Sequence, residues 1–288
     1  MRKINKIVAL GLSALALSCS NDDNAIDKLF ENTTRGAILR TVEITSGTFN
    51  VFDESSEFIV TLEEQDTQNG GLLESVDVLV TFIDNNDADG TDFSKDEVML
   101  TTLEASAFSE GPFGLPRATY SISLEEVKNA VGLSTGQFFG GDRFNFRFVL
   151  NLTDGRSFSF ADAAGTVQSG SFFRSPFRYG VDIKCVPTAP VPGDYELTIE
   201  DSFGDGWDGA FITVTIDGVS TDYTIEDGSV GVFTINVPPG TTSLTFTYTP
   251  GSFEDEHSYV LIAPTGETAA ADGPGPTPGE IVLNICNG

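Results

Sequence analysis

Apolar residues recur at every second position over much of the chain, which is the period of a strand with one buried face. The clearest case is Arg143–Leu152. Phe144, Phe146, Phe148, Leu150 and Leu152 fall on one face, and Arg143, Asn145, Arg147 and Asn151 on the other. Asp154-Gly155 follows as a hairpin turn, because glycine accepts the positive φ that such turns require, and 156–160 returns with the same alternation. Further strands are predicted at 58–62, 76–83 and 179–184. One helix breaks the pattern. Ser123 and Glu126 form a capping box, Val127, Ala130 and Val131 supply an apolar face, and Gly132 ends it.

Beyond residue 193 the strand signals become short and closely spaced, at 195–200, 211–216, 221–225, 231–237, 243–248, 259–262 and 281–285. Asp217-Gly218, Asp227-Gly228 and Pro239-Gly240 mark turns between them. Short strands at this spacing predict a β-sandwich of jelly-roll or immunoglobulin-like type. The segment 186–193 carries Pro187, Pro190 and Pro192 and reads as a stiff, extended linker. The expected architecture is therefore all-β. Two β-sandwich domains stand in tandem, at 36–185 with one short helix and at 194–288.

The N-terminus changes the setting. Arg2, Lys3 and Lys6 precede an apolar run at 7–17, which is shorter than the roughly 20 residues needed to span a bilayer. Residues 1–18 read as a signal peptide. Leu15-Ala16-Leu17-Ser18-Cys19 resembles the lipobox of bacterial lipoproteins, and the resemblance implies an acyl anchor on Cys19. Ser20, Asn21, Asp22 and Asp23 are similar to the acidic export signal of Bacteroidetes surface lipoproteins. That likeness implies an outer-membrane, lipid-anchored protein facing the cell exterior, and a body facing the periplasm is the alternative. Residues 19–35 then form a lipidated acidic tether.

Charge narrows the partners. The chain has 43 Asp+Glu against 15 Lys+Arg, a formal net charge of -28. Removing 1–18 takes away Arg2, Lys3 and Lys6 and no acid, which gives -31. Nucleic acid and anionic lipid surfaces need basic contacts and are excluded as partners. Divalent cations are attracted, although the same charge also serves plain solubility. A hydrophobic content of 40% with 23 Phe excludes a disordered chain. With Cys19 used for lipid, Cys185 and Cys286 remain as an even pair, and an oxidising compartment predicts a disulfide between them.

The densest candidate chemistry is Asp201-Ser202-Phe203-Gly204-Asp205-Gly206-Trp207-Asp208-Gly209. It resembles the D-x-x-G-D-G-W-(N/D)-G motif of β-sandwich modules in secreted and surface proteins, a likeness that implies a module and no particular activity. Physically, three glycines let the loop curl while Asp201, Asp205 and Asp208 bring carboxylates to one point. Glu254 or Glu256 could close a calcium shell from a distant strand, since calcium takes six to eight oxygens. The other reading is a tight loop pinned by aspartates that accept backbone amides, with Trp207 as a packing plug. A second acidic loop runs over 84–92. Asn85, Asp87, Asp89 and Gly90 match the start of an EF-hand, but Asp96 stands where glutamate is needed and a strand precedes it, so a solvated turn is the better reading.

Trp207, Tyr223, Tyr248 and Tyr259 are candidates for stacking on sugars, with core packing as the alternative. Phe172, Phe173 and Phe177 form a dense run that reads as core or domain packing, with partner contact as the alternative. No catalytic motif is present: His257 stands alone, no Gly-x-Ser-x-Gly elbow occurs, and zinc would lack a histidine pair. The expected function is a non-enzymatic surface lipoprotein. It would be a binding or accessory subunit of an outer-membrane protein complex, such as an importer of the SusC/SusD type. The alternatives are a glycan-binding protein or adhesin, or a polysaccharide hydrolase built on a carboxylate pair.

Overall fold

A computed structural model describes residues 36–86, 90–169 and 172–287. Cys19 and the signal Ser20, Asn21, Asp22 and Asp23 lie outside the described residues, as do Asp87 and Asp89 of the second acidic loop. Among the described residues, no helix is long and apolar enough to cross a membrane.

The first sandwich is built from β1 (Ile38–Ser46), β2 (Thr48–Asn50), β3 (Glu57–Gln65), β4 (Leu73–Ile83), β5 (Lys95–Glu104), β6 (Ser109–Glu110), β7 (Pro116–Ser123), β8 (Arg143–Leu152), β9 (Ser157–Phe158) and β10 (Arg178–Lys184). One sheet has the order β1-β3-β7-β6, and the other β2-β10-β8-β4-β5 with β9 on β8. Alternation decides what is buried. Phe58, Val60 and Leu62 of β3 face inward, as do Val76, Val78, Val80 and Phe82 of β4 and the three phenylalanines of β8. Phe58 stacks on Phe146 from the opposite sheet with centroids 4.8 Å apart. Such aromatic pairs add about 0.5–1.5 kcal/mol beyond the area they bury.

Two carboxylates of β3 escape water by different means. Glu63 is fully buried on the outer side of its sheet and is held by Arg40 and by Arg117, the latter at 2.6 Å. Glu64 points the other way and is also fully buried, yet neither of its oxygens has a hydrogen-bond partner.

The second sandwich comprises β11 (Gly193–Asp201), β12 (Phe211–Ile216), β13 (Val219–Tyr223), β14 (Val230–Val237), β15 (Leu244–Thr249), β16 (His257–Ile262), β17 (Thr268–Asp272) and β18 (Gly279–Glu280). Its sheets are β14-β11-β16-β17 and β13-β12-β15-β18. Tyr195, Leu197 and Ile199 of β11 share a core with Ile212, Val214, Phe246 and Tyr248.

Cys185 and Cys286 are joined in a disulfide. Cys185 directly follows β10, so the bond fastens the C-terminal end of the chain to the edge of the first sandwich. Gly140 of that sandwich lies against both sulfurs, and a Cβ there would come within 2.1 Å of one and 2.6 Å of the other. Hydrogen bonds close the same seam. Ile285 N–H donates to the Cys185 carbonyl at 2.7 Å, and Cys185 N–H donates to the Asn284 side chain at 2.7 Å.

Several expectations need correction. Two α-helices occur in the first sandwich rather than one. The expected helix is α1 (Leu124–Ala130), with the Ser123–Glu126 capping box formed. The second, α2 (Gly165–Ser169), is a single turn too short to show a periodic apolar face. The return strand at 156–160 shrinks to β9, because Phe160 opens a 3-10 turn that continues to Asp162. The predicted strand at 281–285 is irregular chain, and its bonding to β15 ends with the Ile281 N–H on Phe246. The amides beyond it go elsewhere, Asn284 to Ala269 of β17 and Ile285 to Cys185, which follows β10. No single neighbour offers a ladder.

Candidate functional site

Strand β11 ends at Asp201 because its carboxylate turns back on the chain that follows. Asp201 is 2% exposed and accepts N–H groups from Phe203 at 3.3 Å, Gly204 at 2.6 Å, Asp205 at 2.9 Å and Gly206 at 3.1 Å. Burial opposes ionisation of this group, but the four amides outweigh it and hold its pKa below the ordinary aspartate value. Gly206 is required by both conformation and space. Its φ is +100°, and a Cβ would lie 2.7 Å from the Glu226 carbonyl carbon.

Trp207 closes the loop from beneath. It is fully buried, its indole N–H donates to the Glu200 carbonyl at 2.8 Å, and its backbone N–H donates to Ile225 at 2.8 Å. His257, also fully buried, stacks on Trp207 at 5.5 Å, and Tyr248 meets the indole edge-on at 5.7 Å. The Tyr248 hydroxyl donates to Glu254 at 2.5 Å. Burial and then the Glu254 charge raise its pKa, so it remains a neutral donor. Glu254 also accepts the Gly251 N–H at 2.5 Å and lies 3.7 Å from His257 Nδ1, while His257 Nε2 has no partner.

Three neighbouring loops are thereby fastened together. Ser202 N–H donates to the Glu256 carbonyl at 2.9 Å, Ser252 N–H to the Asp208 carbonyl at 3.1 Å, and Asp201 N–H to the Ser229 carbonyl at 2.9 Å. Asp201, Asp205 and Glu256 come together, each offering a carboxylate oxygen within 4.8 Å of the others. Of the two glutamates considered from sequence, Glu256 joins this cluster, whereas Glu254 is engaged by Tyr248 and Gly251. Asp208 is not part of the triad. It is exposed with φ +44°, and it acts on the cluster through its charge. Burial raises the Glu256 pKa, and the charges of Asp201, Asp205 and Asp208 raise it further. Chemically, the end of this sandwich can hold a cation between three carboxylates, one of which already pins the loop by itself.

The second acidic loop behaves as a turn in its described part. Asp84 accepts Asn86 N–H at 3.0 Å and Phe93 N–H at 2.9 Å, and Asn85 N–H donates to the buried Asp142. The proposed sugar-stacking aromatics are used inside the fold: Trp207, Tyr248 and Tyr259 are buried, and Tyr223 is half-buried against Phe233. Phe177 is core, whereas Phe172 is exposed. The aromatic rings that do reach solvent at the acidic loops are Phe203 and Phe253, 74% and 68% exposed. Sequence reasoning missed both, because an isolated phenylalanine in a strand-rich chain reads as core.

No family model matches the chain, and no curated protein matches it. Among solved structures, it is similar to a bacterial adhesin from Mobiluncus mulieris containing intramolecular disulfide, isopeptide and ester bond cross-links. In one crystal form the identity is 12%, covering 88% of this chain and 93% of that chain, with a TM-score of 0.24. In a second form the values are 12%, 87%, 92% and 0.22. A likeness at that level carries no weight for topology or function.

Proposed function

We propose that this is a non-enzymatic outer-membrane lipoprotein, anchored at Cys19 and facing the cell exterior, that acts as a binding or accessory subunit of an outer-membrane complex such as a SusC/SusD-type importer. The Cys185–Cys286 disulfide is the observation that supports its extracytoplasmic part. Such bonds persist in oxidising compartments, and the lipobox directs the chain to one. Calcium at Asp201, Asp205 and Glu256 belongs to the same reading. Cys19→Ala is expected to release the protein from the outer-membrane fraction. Protease added to whole cells is expected to degrade the wild type and spare Asp22→Ala/Asp23→Ala. Pull-down from detergent-solubilised outer membrane should recover a transporter. If Cys19→Ala still fractionates with the outer membrane as wild type does, the anchor is wrong. Equal protection of both proteins in the protease assay would remove the surface assignment.

A second reading, a surface adhesin or glycan-binding protein, is favoured by the exposure of Phe203 and Phe253. Binding to a glycan array with no co-purifying membrane protein would select it.

A further inference from the structure

Charge is divided very unevenly along the chain. None of its 15 Lys and Arg lies beyond Lys184, while sixteen of its 43 Asp and Glu do. The first sandwich pairs some of its acids with its own bases: Glu54 with Lys128, Glu97 with Arg147, and Asp182 with Arg143. The second sandwich has no lysine or arginine with which to do the same. Its carboxylates are met from within only by neutral donors, such as the amides on Asp201 and the Tyr248 hydroxyl on Glu254, so a full positive charge can reach them only from outside that sandwich.

The three loops fastened together around Asp201 concentrate this deficit at one end. Asp205, Asp208, Glu226, Asp227 and Asp255 are all exposed there. Phe203 and Phe253 stand among them, largely exposed on loops joined by the Ser202–Glu256 hydrogen bond. Phe253 has φ +57°, a conformation that suits glycine or asparagine and costs a phenylalanine energy. Neither burial nor backbone geometry accounts for phenyl rings at these positions. A divalent ion would satisfy the carboxylates but has no use for exposed rings. A neutral sugar would use the rings but not the charge. A guanidinium or ammonium group uses both, stacking on an aromatic face and pairing with carboxylates.

We propose that this end of the C-terminal sandwich is a docking surface for an arginine- or lysine-rich segment of a partner protein, with Phe203 and Phe253 as the stacking platforms. The proposal rests on the binding-subunit reading and names the chemistry of the partner. Its test is separate from the anchor and fractionation tests, so either can fail alone.

The full chain in detergent is titrated against a fluorescently labelled arginine–glycine repeat peptide, and binding is read by anisotropy. The same peptide with citrulline in place of arginine is the control. The arginine peptide is expected to bind, more weakly as salt rises, and the citrulline peptide not to bind. Phe203→Leu/Phe253→Leu should weaken binding roughly five- to tenfold, whereas Phe203→Trp/Phe253→Trp should keep or tighten it. Asp205→Asn/Asp208→Asn/Asp227→Asn should weaken binding by more than about tenfold. A charge-matched triple on strands outside these loops, Asp194→Asn/Glu196→Gln/Glu280→Gln, should change it less than about twofold. Thermal unfolding of each variant verifies that it is folded. Equal losses in the two triple variants would mean a diffuse anionic field and overturn the proposal. Leucine variants that bind as tightly as wild type would overturn it as well. So would calcium binding at matched ionic strength with no binding of the arginine peptide.

Discussion

Glu64 and Asp201 are both carboxyl groups buried at strand ends, and their partners give them opposite properties. Asp201 has four amide donors and a lowered pKa. The stability it contributes is present above its unfolded pKa and is lost as pH falls through the folded value. Glu64 has no donor at all, and burial, followed by the nearby Asp66 charge, pushes its pKa up to about 8. A raised carboxyl pKa means that the folded state keeps its proton while the unfolded state gives it up. Stability therefore falls as pH rises from the unfolded value of 4.5 to about 8, and is flat beyond. Glu64→Met fills the same space without a polar head. It is expected to raise unfolding stability at pH 8 by about 1–3 kcal/mol, the range for removing an unsatisfied buried polar group. The gain should be smaller near pH 5, only just above the unfolded value, where most of this loss has yet to accrue. Urea unfolding at the two pH values measures this. An identical gain at both would show that Glu64 keeps the same charge throughout.

At the scale of elements, the seam between the sandwiches turns on Gly140. It is not in a positive-φ conformation, so only space constrains it. In Gly140→Ala the methyl would meet both sulfurs of the disulfide, and the bond or the loop must move. In this variant oxidation of the pair is disfavoured, so a fraction of Cys185 and Cys286 is expected to remain as free thiols, with loss of part of the stabilisation that the disulfide provides. The chain-entropy model puts the whole of that at about 4–5 kcal/mol for a loop near 100 residues. Thiol titration under denaturing, non-reducing conditions checks it, and a full disulfide with unchanged melting would count against a tight seam. The pairing of these cysteines was legible from compartment and number alone, but Gly140 was not, since nothing local marks a glycine that faces a sulfur from another segment. The same division holds for strands. β8 was legible because each inward position is apolar and each outward one is polar or charged, save Val149. β5 was not, because it is an edge strand with Met99 57% exposed and no clear buried face. β17 is Thr-Ala-Ala-Ala-Asp, which lacks the β-branched residues that advertise a strand. The Asp201 loop could be read because its motif is contiguous. Choosing Glu256 over Glu254 needed the fold, since only the three-dimensional structure shows that Tyr248 and Gly251 engage the other glutamate.

Across the whole molecule, a formal charge of -28 makes any added salt stabilising, and a specific ion effect has to be separated from screening. The chain carries a single tryptophan, and Trp207 lies buried beneath the acidic loop, so its fluorescence follows unfolding of the C-terminal sandwich alone. With that signal, calcium chloride is expected to raise the midpoint above sodium chloride at equal ionic strength. Binding to the native state alone adds about 2.7 kcal/mol at a hundredfold excess over Kd. Glu256→Gln distinguishes the ion from simple relief of repulsion. In chelator, this variant loses the repulsion that Asp201, Asp205 and Asp208 exert on the Glu256 carboxylate, and it should melt above wild type. In calcium it lacks one of the three clustered carboxylates and should gain little beyond the sodium control. The crossing of these two effects, higher without calcium and no further gain with it, is the signature of a cation held at the cluster. If wild type and variant respond to calcium alike, the carboxylates act only as a diffuse field. Asp201 would then serve as the pin of a turn, with the loop kept in place by its four amides.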